Sequence, residues 1–463
     1  MAVRAHGGAD GGGCDRRRRA PPGDGGAAVT RVRNVLALAL TSLLATACSE
    51  HASLDPSQQS GANPPLPDAR NFLLPPMQVP KGVGWAKGQT PQVAAGLHID
   101  KVAGDLKHPR QLLELSNGDV LVVESNGPGT EATTTPKQWI AGKIKASSGK
   151  GAKGGDRITL LRPTASGPWE QHVLVEHLHS PFGAQVIGDA LYVANTDAIV
   201  RFPFHVGDTQ ITAPGTFFTD LPDTINHHWT KALLANADGS KLYVGVGSNS
   251  NVGENGLEVE YRRAAVLEVD VATASSRIYA SGIRNPTGLG WNPWTQQLWA
   301  IANERDEIGA DLVPDYLTSV KPGGFYGWPY SYYGQHEDRR VVPQRPDLVK
   351  KAIRPDYALG SHVAALGMLF SQSNALPAAY QTGAFVSEHG SWDRSPLSGY
   401  AVVFVPFKDG HPNGLPQTLV SGFYSKDEKQ LYGAPVGLAQ DRDGALLVAD
   451  DVGNAVWRVT ASP

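Results

Sequence analysis

"APVGLAQDRDGALLVADDVGN", Ala434–Asn454, joins a short apolar run, an Asp-Gly turn and a second aliphatic run that ends in two aspartates. Asp-Gly between two apolar runs is a strong local signal for a β-hairpin, because both residues tolerate the positive φ that tight hairpin turns require. The same order recurs in "HPRQLLELSNGDVLVVESN" (His108–Asn126), "SPFGAQVIGDALYVANTD" (Ser180–Asp197) and "HHWTKALLANADGSKLYVGVGSNS" (His227–Ser250). It returns in "NPTGLGWNPWTQQLWAIANERD" (Asn285–Asp306) and, more weakly, in "AALGMLFSQSNALPAAYQTGAFVSEHG" (Ala364–Gly390). Six copies of one supersecondary unit call for a radial repeat. Runs such as "RITLLRP", "AAVLEVDV" and "YAVVFVPF" lie between copies and supply enough strands for four per blade. The expected fold is therefore all-β, a six-bladed β-propeller over residues 91–463, with "LHIDKVAG" (Leu97–Gly104) helping to close the ring. In such a fold the first residues of every copy converge on an axial channel.

Composition agrees. The 463 residues include 52 Gly and 34 Pro, which implies frequent turns and few helices. A formal charge of −3 argues against a nucleic-acid binder, which needs a basic face to neutralise phosphates. Cys14 and Cys48 both precede the repeats, so no disulfide framework or thiolate metal site is expected in the folded body. Residues 1–28 are Gly- and Arg-rich without an apolar period and read as a disordered or over-extended start. Residues 29–48 carry two arginines, an apolar run and small residues, the pattern of a signal peptide. Its end, Ala45-Thr46-Ala47-Cys48, is similar to a bacterial lipobox, so the protein is expected to be exported, either periplasmic or a membrane-anchored lipoprotein. Residues 49–90 are polar and Pro-rich and read as a tether.

Five motifs carry a family likeness: "SGIRNPTGLGW", "NERDEIGADLVPDYL", "GGFYGWPYSYYG", "HHWTKALL" and "SEHGSWDRSPLSGYAVVFVPF". Together they resemble the pyrroloquinoline quinone (PQQ)-dependent sugar dehydrogenases, in particular the sorbosone dehydrogenase-like branch related to soluble glucose dehydrogenase and aldose sugar dehydrogenase. The resemblance implies that His228 is the general base, that Arg284 and Asn285 contact the quinone oxygens, and that Phe182 and Gly183 lie near the cofactor. It also implies that His389 and Arg394 stand where a relative's cofactor-binding lysine would be. Calcium would be held by the loop of Asn303, Glu304, Arg305, Asp306 and Asp311, although relatives often have Gly-Pro in place of Arg305-Asp306. Ala434 stands where relatives commonly have arginine.

The residues alone leave other roles open. His228 and Arg284 could simply bond backbone carbonyls, the acidic loop could be solvated, and Arg110 and Glu124 could form an ion pair. Trp328 and Tyr330 could wall a substrate cleft, and Lys231 could reach ligand or solvent. The expected partners are a small sugar or aldehyde and an external electron acceptor, since no C-x-x-C-H motif provides a covalently attached haem. Neither nucleic acid nor membrane is expected as a partner, save through the N-terminal anchor. A calcium-dependent lactonase and a non-catalytic carbohydrate- or protein-binding propeller are the alternative readings.

Overall fold

Among the described residues, six antiparallel sheets form the blades, five of four strands and one whose four central strands are joined by two short additional ones. The computed structural model describes residues 51–70, 78–129 and 147–462. Cys14, Cys48 and the expected leader at 29–48 lie outside them. The innermost strands begin at Pro109, Gly183, Lys231, Asn285, Ala365 and Pro435, one per sequence copy, and define blades I to VI. Each copy supplies the two inner strands of its blade, and the intervening aliphatic runs supply the third.

Ring closure follows the expected route. Leu97–Ala103 forms the outer strand of blade VI by pairing antiparallel with Ala455–Ala461, in a register that sets Leu97 opposite Ala461 and Ile99 opposite Val459. A strand from before the first blade thus completes the last sheet and covers the outer edge of Ala455–Ala461.

Core side chains lie between neighbouring sheets, as in the cluster of Trp299, Met368, Phe370 and Phe407 between blades IV and V. Nearest the axis there is no room for side chains. A Cβ on Gly367 would sit 2.1 Å from the Val436 carbonyl, and one on Gly437 would sit 2.7 Å from the Arg110 carbonyl. The axial cavity bounded by all six inner strands measures only ≈ 40 Å³, space for a few waters. A ligand of any size must therefore sit at a mouth of the channel. Strand directions send the starts of the inner strands and the loops after the second strands to the same mouth.

The segment expected to be a tether is instead a strap on the propeller. Ala52 donates to the Ser395 carbonyl and Gly61 exchanges two backbone bonds with Ala358. Lys81–Gly82 pairs in parallel with Gln430–Leu431. The anchor is the Asp311 carboxylate, which accepts from Ser53 N (2.6 Å), Ser53 Oγ (2.8 Å), Leu54 N (3.1 Å) and Gln59 Nε2 (2.9 Å). Polarity misled the reading: these residues are polar because they bond to loop ends.

Asp311→Ala should release this strap. Leaving one or two buried donors unsatisfied costs about 1–3 kcal/mol each. A lower urea midpoint with faster proteolysis within residues 51–70 is the expected result; unchanged protection of that segment would refute the anchor.

Candidate functional site

His228 precedes the inner strand of blade III in a turn whose Ile225 and Asn226 both have positive φ. The turn is pinned by polar contacts. Asn226 N donates to Asn249 Oδ1 (2.9 Å), and the buried Lys231 ammonium donates to the Trp229 carbonyl (3.0 Å) and Asn226 Oδ1 (3.4 Å). Arg263 reaches the carbonyls of Gly247 (3.3 Å) and Thr224 (3.1 Å). Lys231 is thus turned to protein acceptors, and burial pushes its pKa well down.

His228 Nδ1 lies 2.9 Å from the Ser248 carbonyl, an acceptor only, so Nδ1 carries the proton and Nε2 the lone pair. Burial, reinforced by the Arg284 guanidinium and by His227, holds the ring well below the ordinary histidine pKa; the Ser248 bond opposes this more weakly. His228 is therefore a neutral base with a defined tautomer. Its distance from the next blade is set by Gly247. A Cβ there would meet Asn285 Oδ1 at 2.3 Å and His228 Cβ at 2.4 Å, so the two functional side chains flank a missing methyl.

Arg284 and Asn285 open the inner strand of blade IV. The Arg284 guanidinium donates to the Glu304 carbonyl (2.6 Å), the Asn251 carbonyl (3.2 Å), Asn251 Oδ1 (2.9 Å) and Asp306 Oδ2 (3.2 Å). Asn285 Nδ2 donates to Asn303 Oδ1 (3.1 Å), whereas Asn285 Oδ1 is a buried acceptor without a hydrogen-bond partner. The arc continues in the other direction from His228. Trp229 and Phe182 lie 5.6 and 5.8 Å from the Arg110 guanidinium, whose buried Nε also lacks a partner.

Several expected ligands have other work. Gly183 is inter-blade packing, since its Cβ would meet Leu233 Cβ at 2.4 Å. Phe182 supports Arg110 from within the axial cavity lining. Arg394 turns away from the mouth to the carbonyls of Ala310 (3.0 Å) and Pro396 (2.9 Å). His389 Nε2 is spent on Asp451 (2.9 Å), and burial pushes its pKa down to about 4. Arg110 also pairs with Asp451, not with Glu124, whose carboxylate takes Arg157 (2.8 Å). Ala434 is buried and donates its N–H to Asp450.

The expected calcium loop fits calcium poorly. Asn303 accepts from Asn285 and donates to the Ala365 carbonyl (2.7 Å). Glu304 pairs with Arg305 (3.0 Å), and Arg305 is fully buried, bonded also to Asp338 (3.0 Å) and the carbonyls of Pro329 and Ser331. Arg305 thus fastens the insertion at 320–356 to blade IV. The carbonyls of Glu304 and Asp306 accept from Arg284, Asn251 and Arg340. Asp311 anchors the strap. Calcium wants six to eight oxygens, and most of those named here already accept from guanidinium or amide donors, while Glu304 Oε1 is buried without a hydrogen-bond partner.

Sequence reading missed Asn251, whose amide and carbonyl join Arg284, Asp306 and Trp328 Nε1. The signal was present in "GSNSNVGEN", a loop too rich in amide and hydroxyl groups for a mere connector. It also missed His362, which lies 3.6 Å from Asp306 and 3.5 Å from Asp393.

Comparison with known proteins agrees with this layout. Residues 189–389, which hold His228, Arg284 and the loop 303–311, match the glucose/sorbosone dehydrogenase family model, and residues 348–462 match a TrAA12-like model. An uncharacterised protein of Borreliella burgdorferi is 26% identical over 299 residues, 62% of this chain and 77% of its own. The aldose sugar dehydrogenase of Escherichia coli is 30% identical over 105 residues, 22% of this chain and 27% of its own. The holo pyranose dehydrogenase PQQ domain of Coprinopsis cinerea superposes with a TM-score of 0.65 at 19% identity, over 82% of this chain and 100% of that one. The last likeness is one of fold.

Histidine NMR tests the base directly. The His228 ring should show the Nδ1–H tautomer and stay neutral on acidification past 6.5, the ordinary value. A titration midpoint at or above 6.5, or an Nε2–H tautomer, would contradict this description of the site.

Proposed function

We propose, from the match of residues 189–389 to the glucose/sorbosone dehydrogenase family, that the protein is an exported quinoprotein that oxidises a sugar or sugar aldehyde, sorbosone- or aldose-like, with PQQ as its electron acceptor. The observation that carries this reading is the neutral His228 imidazole, its Nδ1–H fixed on the Ser248 carbonyl, one missing methyl away from Asn285. The unpartnered buried Arg110 Nε–H and the guanidiniums of Arg110 and Arg284 suit an anionic planar quinone. When bound, PQQ supplies the two-electron acceptor that no side chain can provide.

The chain's own residues do the rest. His228 Nε2 takes the proton of the substrate hydroxyl on the carbon being oxidised. The Ser248 carbonyl steadies the resulting imidazolium through Nδ1–H, while the nearby Arg284 disfavours it, so the proton is passed on to solvent. Arg284, held by Asn251 and the Glu304 carbonyl, keeps a guanidinium where negative charge develops without having to reorganise. Most oxygens of the loop expected to bind calcium already accept from guanidinium or amide donors, so no step here is assigned to that ion. Electrons leave to an external acceptor, and the pattern at residues 29–48 supports export with a lipid anchor at Cys48.

Dye reduction by the purified protein, with and without added PQQ, over aldoses and sorbosone is the test. Turnover should require the quinone, and His228→Ala should lower kcat by about 10²–10⁴-fold. Gly247→Ala, which drives a methyl between His228 and Asn285, should cost about 10²-fold. Failure to bind PQQ, or full activity in His228→Ala, would overturn the proposal.

A further inference from the structure

We propose that Asp306, His362 and Asp393 form a binding site for a divalent first-row transition ion of the Zn²⁺ or Mn²⁺ type, distinct from the expected calcium loop. The three side chains come from separate segments: the loop after the second strand of blade IV, the turn into the inner strand of blade V, and the loop after the second strand of blade V. One ligand atom from each lies within 4.8 Å of the other two, the only such group of three His, Cys, Asp or Glu residues among the described residues. Asp306 is shared with the expected calcium loop, but His362 and Asp393 are not.

The spacing fits a common ion. His362 Nδ1 is 3.6 Å from Asp306 Oδ1 and 3.5 Å from Asp393 Oδ1. These distances exceed the 2.7–3.2 Å of an ordinary N–H···O bond. Two donors each about 2.1 Å from one ion at a tetrahedral angle lie about 3.4 Å apart, close to both separations.

The ring is also oriented as a ligand. His362 Nε2 donates to the Gly309 carbonyl at 2.9 Å, which turns Nδ1 between the carboxylates; against the effect of burial, Asp393 and Asp306 raise the ring's pKa to about 10, so a bound ion takes the place of the Nδ1 proton. A ligating histidine is commonly fixed in this way, through its other ring nitrogen. His362 and Asp393 are buried, with side chains 4% and 2% exposed, and Asp306 is partly open at 21%, which leaves room for water or another ligand to complete the coordination. The donor set selects the metal. One imidazole and two carboxylates suit Zn²⁺ or Mn²⁺, whereas calcium requires an all-oxygen cage of higher coordination number. The Arg284 guanidinium donates to Asp306 Oδ2, the carboxylate oxygen turned away from His362, so the ion would be coupled to the family's central arginine.

Equilibrium dialysis of the chelator-stripped full chain against Zn²⁺, Mn²⁺ and Ca²⁺, with metal analysis and no quinone or substrate, tests the site apart from any redox activity. About one equivalent of Zn²⁺ or Mn²⁺ should bind, with calcium at least 10-fold weaker. His362→Gln and Asp393→Asn should each weaken binding beyond the about 10–100-fold that loss of an outer-sphere partner costs. Co²⁺ loaded into the wild-type protein should give visible bands of nitrogen and oxygen coordination, a readout that survives if either variant fails to fold. Absence of stoichiometric binding, equal preference for calcium, unchanged affinity in both variants, or a Co²⁺ spectrum like that of the aquo ion would each overturn the site. None of those failures would bear on the dehydrogenase reading.

Discussion

The approach of the six inner strands at the axis is the contact on which the rest depends. Gly183, Gly288, Gly367 and Gly437 occupy matching places in four inner strands, and each has a neighbouring blade's backbone within 3.2 Å of where a Cβ would be. Side chains there would push the blades outward, and the registers between them would fail. Because the axis is shut, chemistry is confined to the loops at one mouth. The same glycines that make the ring compact thus decide where a ligand can sit.

At that mouth, carboxylates and cations are matched in closed sets. Glu304 and Asp338 hold Arg305, Asp451 holds Arg110 and His389, and Asp306 holds Arg284. Burial of a charge is costly unless it is paired and bonded, so each set must be nearly complete to be stable. This is why the acidic loop 303–311 fits calcium poorly: most of its oxygens already accept from guanidinium and amide donors. Two carboxylates escape pairing in another way. Burial raises the pKa of Asp315 to about 7 and of Asp450 to about 6, and each accepts backbone N–H bonds at a strand end.

Legibility in the sequence tracked the range of each interaction. Hairpins, blade count and the closing strand were readable because their signals are local: Asp443-Gly444, the alternating runs and "LHIDKVAG". That His228, Arg284 and Asn285 come together was readable because a motif marks them, and their bonds lie within adjacent blades. Arg394, His389 and Asp311 were misassigned because their partners lie 62 to 258 residues away, and nothing local shows that Arg394 turns to Ala310 or that Asp311 takes Ser53. The strap was hidden for the same reason, since a segment that bonds through its backbone needs no apolar period. His362 was hidden by its place in the weakest copy.

The strap and Arg305 also explain how irregular loops can present precise chemistry. A loop has few internal bonds and would ordinarily sample many conformations at the cost of site geometry. Here loop 303–311 is tied at Glu304 to Asp315, at Arg305 to the insertion, at Asp306 to Asn251 and at Asp311 to the strap. Loop 247–251 is tied in turn by Glu260, whose carboxylate accepts from Asn249 N and Ser250 Oγ, both at 2.7 Å. The two loops meet at Asn251, the residue that also receives Arg284. A guanidinium held in that way cannot swing toward solvent, so in the proposed reaction its field would act at full strength on charge that appears beside it. The placement of His228 depends on the same two loops, through Ser248 and Gly247. Base and guanidinium are therefore positioned by one framework, and a change to any of its ties would move both.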